Sequence, residues 1–252
     1  MQIDKMVTCL NMKTKRLFYL IAAIAAFAVA CGSNEDKKVA PPETKAELPE
    51  DTTLEELQTE GLSRENIDTF STMAFTSYAK KQKKDFDWSR FRLEHNWIDS
   101  SMYTTSWSPT KDYYDRYGRF LKYSPDSALF IDLDSYNIDI EKDKKGNLIG
   151  TEVGPDVEVS LINPKTGKKT RVLFFGPGNS VEDALWLDKD NVAIMGTEER
   201  EKVGKVAAVW KYNIPTNSFY QYELQDSVVA RRLVGYWRRE RLKEVKAKQP
   251  DL

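Results

Sequence analysis

Two side chains that carry much of protein chemistry are nearly missing here. The 252 residues hold two cysteines, Cys9 and Cys31, and one histidine, His95. A structural zinc site draws several Cys and His ligands together, and a nucleophilic triad needs a base beside its Ser or Cys. His95 has Glu94 and Asp99 near it in sequence, but no Ser, Cys or second His at a spacing that makes a catalytic set. No metal, cofactor or catalytic residue is therefore expected. An excess of charge of one sign is also lacking, with 38 Lys and Arg against 39 Asp and Glu. That balance argues against a nucleic-acid partner. The charge-free run from Leu17 to Ala30 spans fourteen residues, short of the roughly 20 that a membrane-crossing helix requires.

What is present begins with Met12 to Gly32, MKTKRLFYLIAAIAAFAVACG. Lys13, Lys15 and Arg16 precede the apolar run, the order of charge and apolarity in a secretory signal. The run ends in Ala28, Val29, Ala30, Cys31 and Gly32, and this ending resembles the lipobox of bacterial lipoproteins. The resemblance implies cleavage between Ala30 and Cys31 and a diacylglyceryl group on the Cys31 thiol. Ala28 and Val29 depart from the Leu and the Ala or Ser usual in that family, while Ala30 and Gly32 keep its small residues. Two other readings stand beside it: a non-lipidated leader cut after Ala30, or an apolar helix in which Cys31 is incidental.

The lipobox reading implies a body held on the membrane by several palmitate-like chains, each buried methylene contributing about 0.8 kcal/mol. Gly32 resembles the residue found in lipoproteins sent to an outer membrane. Ser33 to Asp36 is similar to the acidic tag of some surface-exposed Gram-negative lipoproteins, or is an ordinary solvated linker. Met12 is expected to be the true start. The mature chain, 31–252, keeps 34 basic against 38 acidic groups and only one thiol, which excludes an internal disulfide.

Residues 31–52 are rich in charge and proline and are expected to form a flexible tether. A helical segment is predicted over 53–85. Thr53 to Glu56 is a capping box and Gly61 a stop; Ser63 caps a second helix, whose apolar stripe Ile67, Phe70, Met73, Ala74 and Tyr78 runs to the lysines at 80–84. Eleven aromatics follow between Phe86 and Tyr123. Trp88, Trp97, Trp107, Tyr113 and Tyr114 are the candidates for a glycan-binding platform, and the same rings equally suit a core.

From Gly118 short β-runs alternate with turns. Arg119–Tyr123, Ala128–Leu133, Val157–Ile162 and Arg171–Phe175 form one set of four. Ala184–Leu187, Asn191–Met195, Ala207–Asn213 and Phe219–Leu224 form a second. Ser124-Pro125-Asp126 and Lys165-Thr166-Gly167 resemble the turns of TolB-like and WD40-like propeller blades. Two units fall short of the four that a closed propeller needs. The expected class is thus mainly β (α+β): an antiparallel meander or partial propeller-like sheets over 86–225. N-terminal helices precede it, and an amphipathic helix over 226–252 is predicted to dock by its first turns and project its basic end. Asp132, Asp134, Asp139, Glu141 and Asp143 alternate along one stretch, as a solvated strand face does; calcium and paired-carboxylate hydrolysis are the competing uses. The leading functional expectation is a lipid-anchored envelope lipoprotein that binds a protein or glycan partner without catalysis. A surface glycan-binding lipoprotein and an envelope hydrolase are the alternatives.

Overall fold

A computed structural model describes residues 60–248, which lie within the second of two units of the chain, 49–252. The leader, Cys31, the tether and the capping box at Thr53 lie outside the described residues. Ser63 caps as its sequence suggests, its Oγ accepting the Asn66 N–H at 3.3 Å. The single helix expected after it is two, α1 (Arg64–Ser71) and α2 (Ala74–Gln82). The break has a local cause. Thr69, Ser71 and Thr72 turn their hydroxyls back onto carbonyls three or four residues earlier, and Met73 then adopts an extended backbone, with φ −71° and ψ 147°.

Two five-stranded antiparallel sheets follow the same plan. The first contains β1 (Arg92–Ile98), β9 (Ser180–Trp186), β10 (Asn191–Arg200), β11 (Gly204–Asn213) and β12 (Ser218–Leu224), in the order β1-β12-β11-β10-β9. The second contains β2 (Thr104–Ser106), β3 (Lys122–Tyr123), β4 (Phe130–Asp132), β7 (Val157–Asn163) and β8 (Lys168–Phe175), in the order β2-β8-β7-β4-β3. Each is a four-strand meander, as the sequence predicts, with a fifth strand borrowed from the 92–106 stretch and laid against its last strand. The meanders share even their turns. Asn163 Oδ1 accepts the N–H groups of Lys165 and Thr166, Asn213 Oδ1 accepts that of Thr216, and the left-handed position falls four residues on, at Gly167 and Asn217. The meander of the second sheet carries an inserted hairpin between β4 and β7, made of β5 (Ile138–Lys142) and β6 (Leu148–Glu152), which the short strand β13 (Lys246–Ala247) joins in parallel.

Three cores hold these layers together. Strand alternation sends Val192, Ile194, Ala208 and Trp210 toward the second sheet, where they meet Ile131, Val159 and Leu161. Ala193, Met195, Ala207 and Val209 face the other way, onto Phe70, Phe75, Trp88 and Phe91 of the helical layer. A sheet covered on both faces needs apolar side chains at successive positions, which explains the unbroken runs Val192–Met195 and Val206–Trp210. The far face of the second sheet is covered by α3 (Tyr113–Tyr117), the inserted hairpin, and Leu242 and Val245.

The C-terminal helix is shorter than predicted. Helix α4 covers only Ser227–Leu233; Gly235 takes a left-handed φ of +85°, and a π-helical turn, Trp237–Arg241, follows. The basic end does not project. Leu242 and Val245 are buried, and the Arg241 side chain is only 7 % exposed. A stripe drawn through the last turns on helical spacing misses these contacts because the backbone has already left the α-helix at Gly235.

Candidate functional site

Lys122 and Asp183 come from the edge strands of the two sheets and meet as an ion pair, Nζ to Oδ1, at 2.7 Å. The main chain reinforces the junction, since the Lys122 carbonyl accepts the Trp186 indole N–H at 2.8 Å. Asp183 is buried, and its Oδ1 also accepts the Ala184 N–H at 2.9 Å. The Tyr236 hydroxyl also lies against the Asp183 carboxylate. The pair lies at a cleft of about 540 Å³ lined by Met73 and Ala74 at the α1–α2 break, Tyr123, Pro125, Trp186 and Tyr236. Tyr236 is set edge-on to Phe75 and Tyr78, with ring centres 5.0 and 5.2 Å away. Burial first, and the Asp183 carboxylate second, raise its hydroxyl well above the ordinary tyrosine range, so it stays protonated. The cleft thus offers an acceptor, an ammonium and aromatic walls within one small space, the mixture that small-ligand pockets use.

Behind the cleft a buried polar seam fixes the geometry. Glu182 is fully buried, and its carboxylate accepts the Gly235 and Trp237 N–H groups at 3.0 Å each. Burial raises its pKa against the pull of those donors. Arg241 donates from Nε to the Glu182 carbonyl at 3.1 Å and from both terminal nitrogens to Asp134, at 2.6 and 2.8 Å. This bidentate fork joins the C-terminal segment to both sheets. Asp132 accepts the N–H groups of Asp134 and Ser135 on one oxygen, and the Tyr113 hydroxyl, at 2.7 Å, and the Ser135 hydroxyl on the other.

Those bonds bear on the Asp132–Asp134 pair alone. Asp132 has both oxygens occupied and Asp134 is held by a guanidinium, so the pair has no free carboxylate to set against a scissile bond. The calcium reading fares similarly. Asp139 and Glu141 point to solvent from β5, Asp143 closes the turn to Asn147, and the five acids do not converge. Among the described residues no group of three or more His, Cys, Asp or Glu is placed to hold a metal ion.

Of the five candidate platform rings, Trp107, Tyr113 and Tyr114 cluster edge-on with centres 5.4 to 6.5 Å apart, without a shared plane, while Trp88 and Trp97 lie elsewhere. Trp88 is buried and donates to Thr76 Oγ1 at 2.9 Å, and Tyr113 is buried on Asp132. Trp97, on β1, lies flat on Phe219 with ring centres 4.8 Å apart. Trp107 and Tyr114 stand edge-on to each other, 82° between planes, outside the second sheet. His95 is exposed on β1. The rings that do share a cleft are Tyr123, Trp186 and Tyr236. Lys122 and Asp183 lie 61 positions apart with no motif linking them, so only the pairing of whole sheets brings them together. Compared with known proteins, the chain matches no family model, no curated protein and no solved structure.

Proposed function

We propose that this chain is a lipid-anchored cell-envelope lipoprotein whose folded body is a non-catalytic binding module, taking its partner in the Lys122–Asp183 cleft. The placement rests on the basic start, apolar run and Cys31 of the leader. The binding role rests on one observation above the rest. Asp183 is buried and ion-paired at 2.7 Å to a half-buried lysine where the edge strands of the two sheets meet, and both residues line an aromatic-walled cleft.

The anchor is tested by mass spectrometry of the mature N-terminus with detergent phase partitioning. Cleavage at Ala30–Cys31 with acyl mass on Cys31, and loss of membrane association in Cys31→Ala, are expected. An unmodified thiol, or an unchanged Cys31→Ala, overturns it. A glycan partner is the second reading, favoured by the aromatic walls around a paired donor and acceptor. It predicts that neutral oligosaccharides change the protein's tryptophan fluorescence and that Lys122→Met removes the change. An absent response in the wild-type chain refutes the glycan reading and leaves a protein partner.

A further inference from the structure

A second cavity, sharing no lining residue with the first, opens between the two equivalent turns. Its volume is about 420 Å³. Met102, Leu129, Leu161 and Ile214 supply its apolar walls, and the Tyr212 ring belongs to the core beneath. Ser100, Thr104 and Thr170 supply hydroxyls, and the amides of Asn163 and Asn217 present their donor ends. Asn163 and Asn217 each commit their side-chain oxygen, to the Lys165 and Thr166 N–H groups and to the Tyr212 hydroxyl respectively. Each amide NH₂ is left without a partner among the described residues. Thr104 and Thr170 bond to one another at 3.2 Å. Lys168 completes the lining as its cation. Its neighbour Lys169 pairs with Glu158, whereas Lys168 pairs with no carboxylate among the described residues. Asp99, the carboxylate whose field reaches Tyr212, has Oδ1 turned onto Ser101.

We propose that this cavity binds a single-chain amphiphile with an anionic head: the alkyl tail lies against Met102, Leu129, Leu161 and Ile214, and the head is held by Lys168 and the amides of Asn163 and Asn217. The half-open cavity has the volume of about 14 liquid water molecules, room for a chain of medium length. An apolar lining with a few convergent donors favours a ligand of that split character over a fully polar one. An ammonium head would meet Lys168 with like charge. The proposal stands apart from the reading of the Lys122 cleft, and either can fail alone.

The test uses the full chain in zwitterionic lipid nanodiscs, with ¹³C-methyl methionine and octanoate as the probe. Octanoate is expected to shift the Met102 methyl resonance saturably. Octanol should do so more weakly, and octyltrimethylammonium not at all. Lys168→Glu should weaken octanoate roughly tenfold or more, through loss of one charge-assisted bond. Leu161→Trp should remove the response by filling the tail site, with the Met195 resonance unmoved as a check on folding. A Met102 resonance indifferent to octanoate, or shifted equally by all three probes, overturns the proposal. So does an unchanged octanoate affinity in Lys168→Glu.

Discussion

Replacing Arg241 by Met should be among the most damaging single changes available to this fold. The guanidinium is 7 % exposed and its partner Asp134 3 % exposed, joined by bonds of 2.6 and 2.8 Å. Removing one member strands the other charge away from water, at a cost of about 3 to 5 kcal/mol. The lost bond to the Glu182 carbonyl adds about 1 kcal/mol. A domain of this size is stable by about 5 to 15 kcal/mol, so Arg241→Met removes a large part of the margin. Asp134→Leu should cost a similar amount, because it strands the guanidinium. The double variant removes both members of the pair and should cost at least about 2 kcal/mol less than the two singles together. Urea unfolding at neutral pH, read by far-ultraviolet circular dichroism and tryptophan fluorescence, measures all four proteins. Costs that add to within about 0.5 kcal/mol, or an Arg241→Met cost below about 1 kcal/mol, refute the claim that the pair acts as one buried unit.

Two glycines should respond unequally to alanine. A Cβ at Gly196 would sit 2.0 Å from the Ser180 carbonyl oxygen, a backbone atom at the β9–β10 bulge, so Gly196→Ala should cost at least about 3 kcal/mol in chemical unfolding. At Gly150 the obstacles at 2.7 Å are side-chain ends of Ile138 and Val245, which can shift, and the same substitution should cost about 1 to 3 kcal/mol. Acid should weaken the second sheet through Glu158. Burial alone would raise its pKa, but Lys169, Ser160 and Arg171 together hold it below the ordinary carboxylate range. A folded pKa below the unfolded one means that the contribution is present at neutral pH and lost as pH falls through the folded value. The melting temperature should therefore drop on acidification, and Glu158→Gln should flatten that part of the profile.

The parts of this fold that could be read from sequence are those made by neighbours in sequence. The two meanders were legible because Asn163, Asp188 and Asn213 write their turns into adjacent residues and the strands between them alternate or run apolar. Strand β1 was not legible. Of its seven residues only Leu93 is buried, so it carries no apolar alternation, and its partner β12 is remote in sequence. Arg241 misled for the same reason. Within Arg238 to Lys248 it looks like one more solvated base, and the carboxylate that buries it is 107 residues away. The Lys122–Asp183 cleft is likewise a product of sheet pairing, and the aromatic-rich stretch drew attention to rings that mostly fill space.

The borrowed fifth strands set an order of events for the growing polypeptide. Arg92 pairs with Glu223, so β1 leaves the ribosome some 130 residues before its partner exists. Residues 104–175 can assemble the second sheet first, but the first stays open at one side until nearly the whole chain has been made. Contacts of such long sequence separation slow folding. A polypeptide with this connectivity keeps β1 without its partner strand for about half of its synthesis, which leaves time for a chaperone to engage it before the sheet closes.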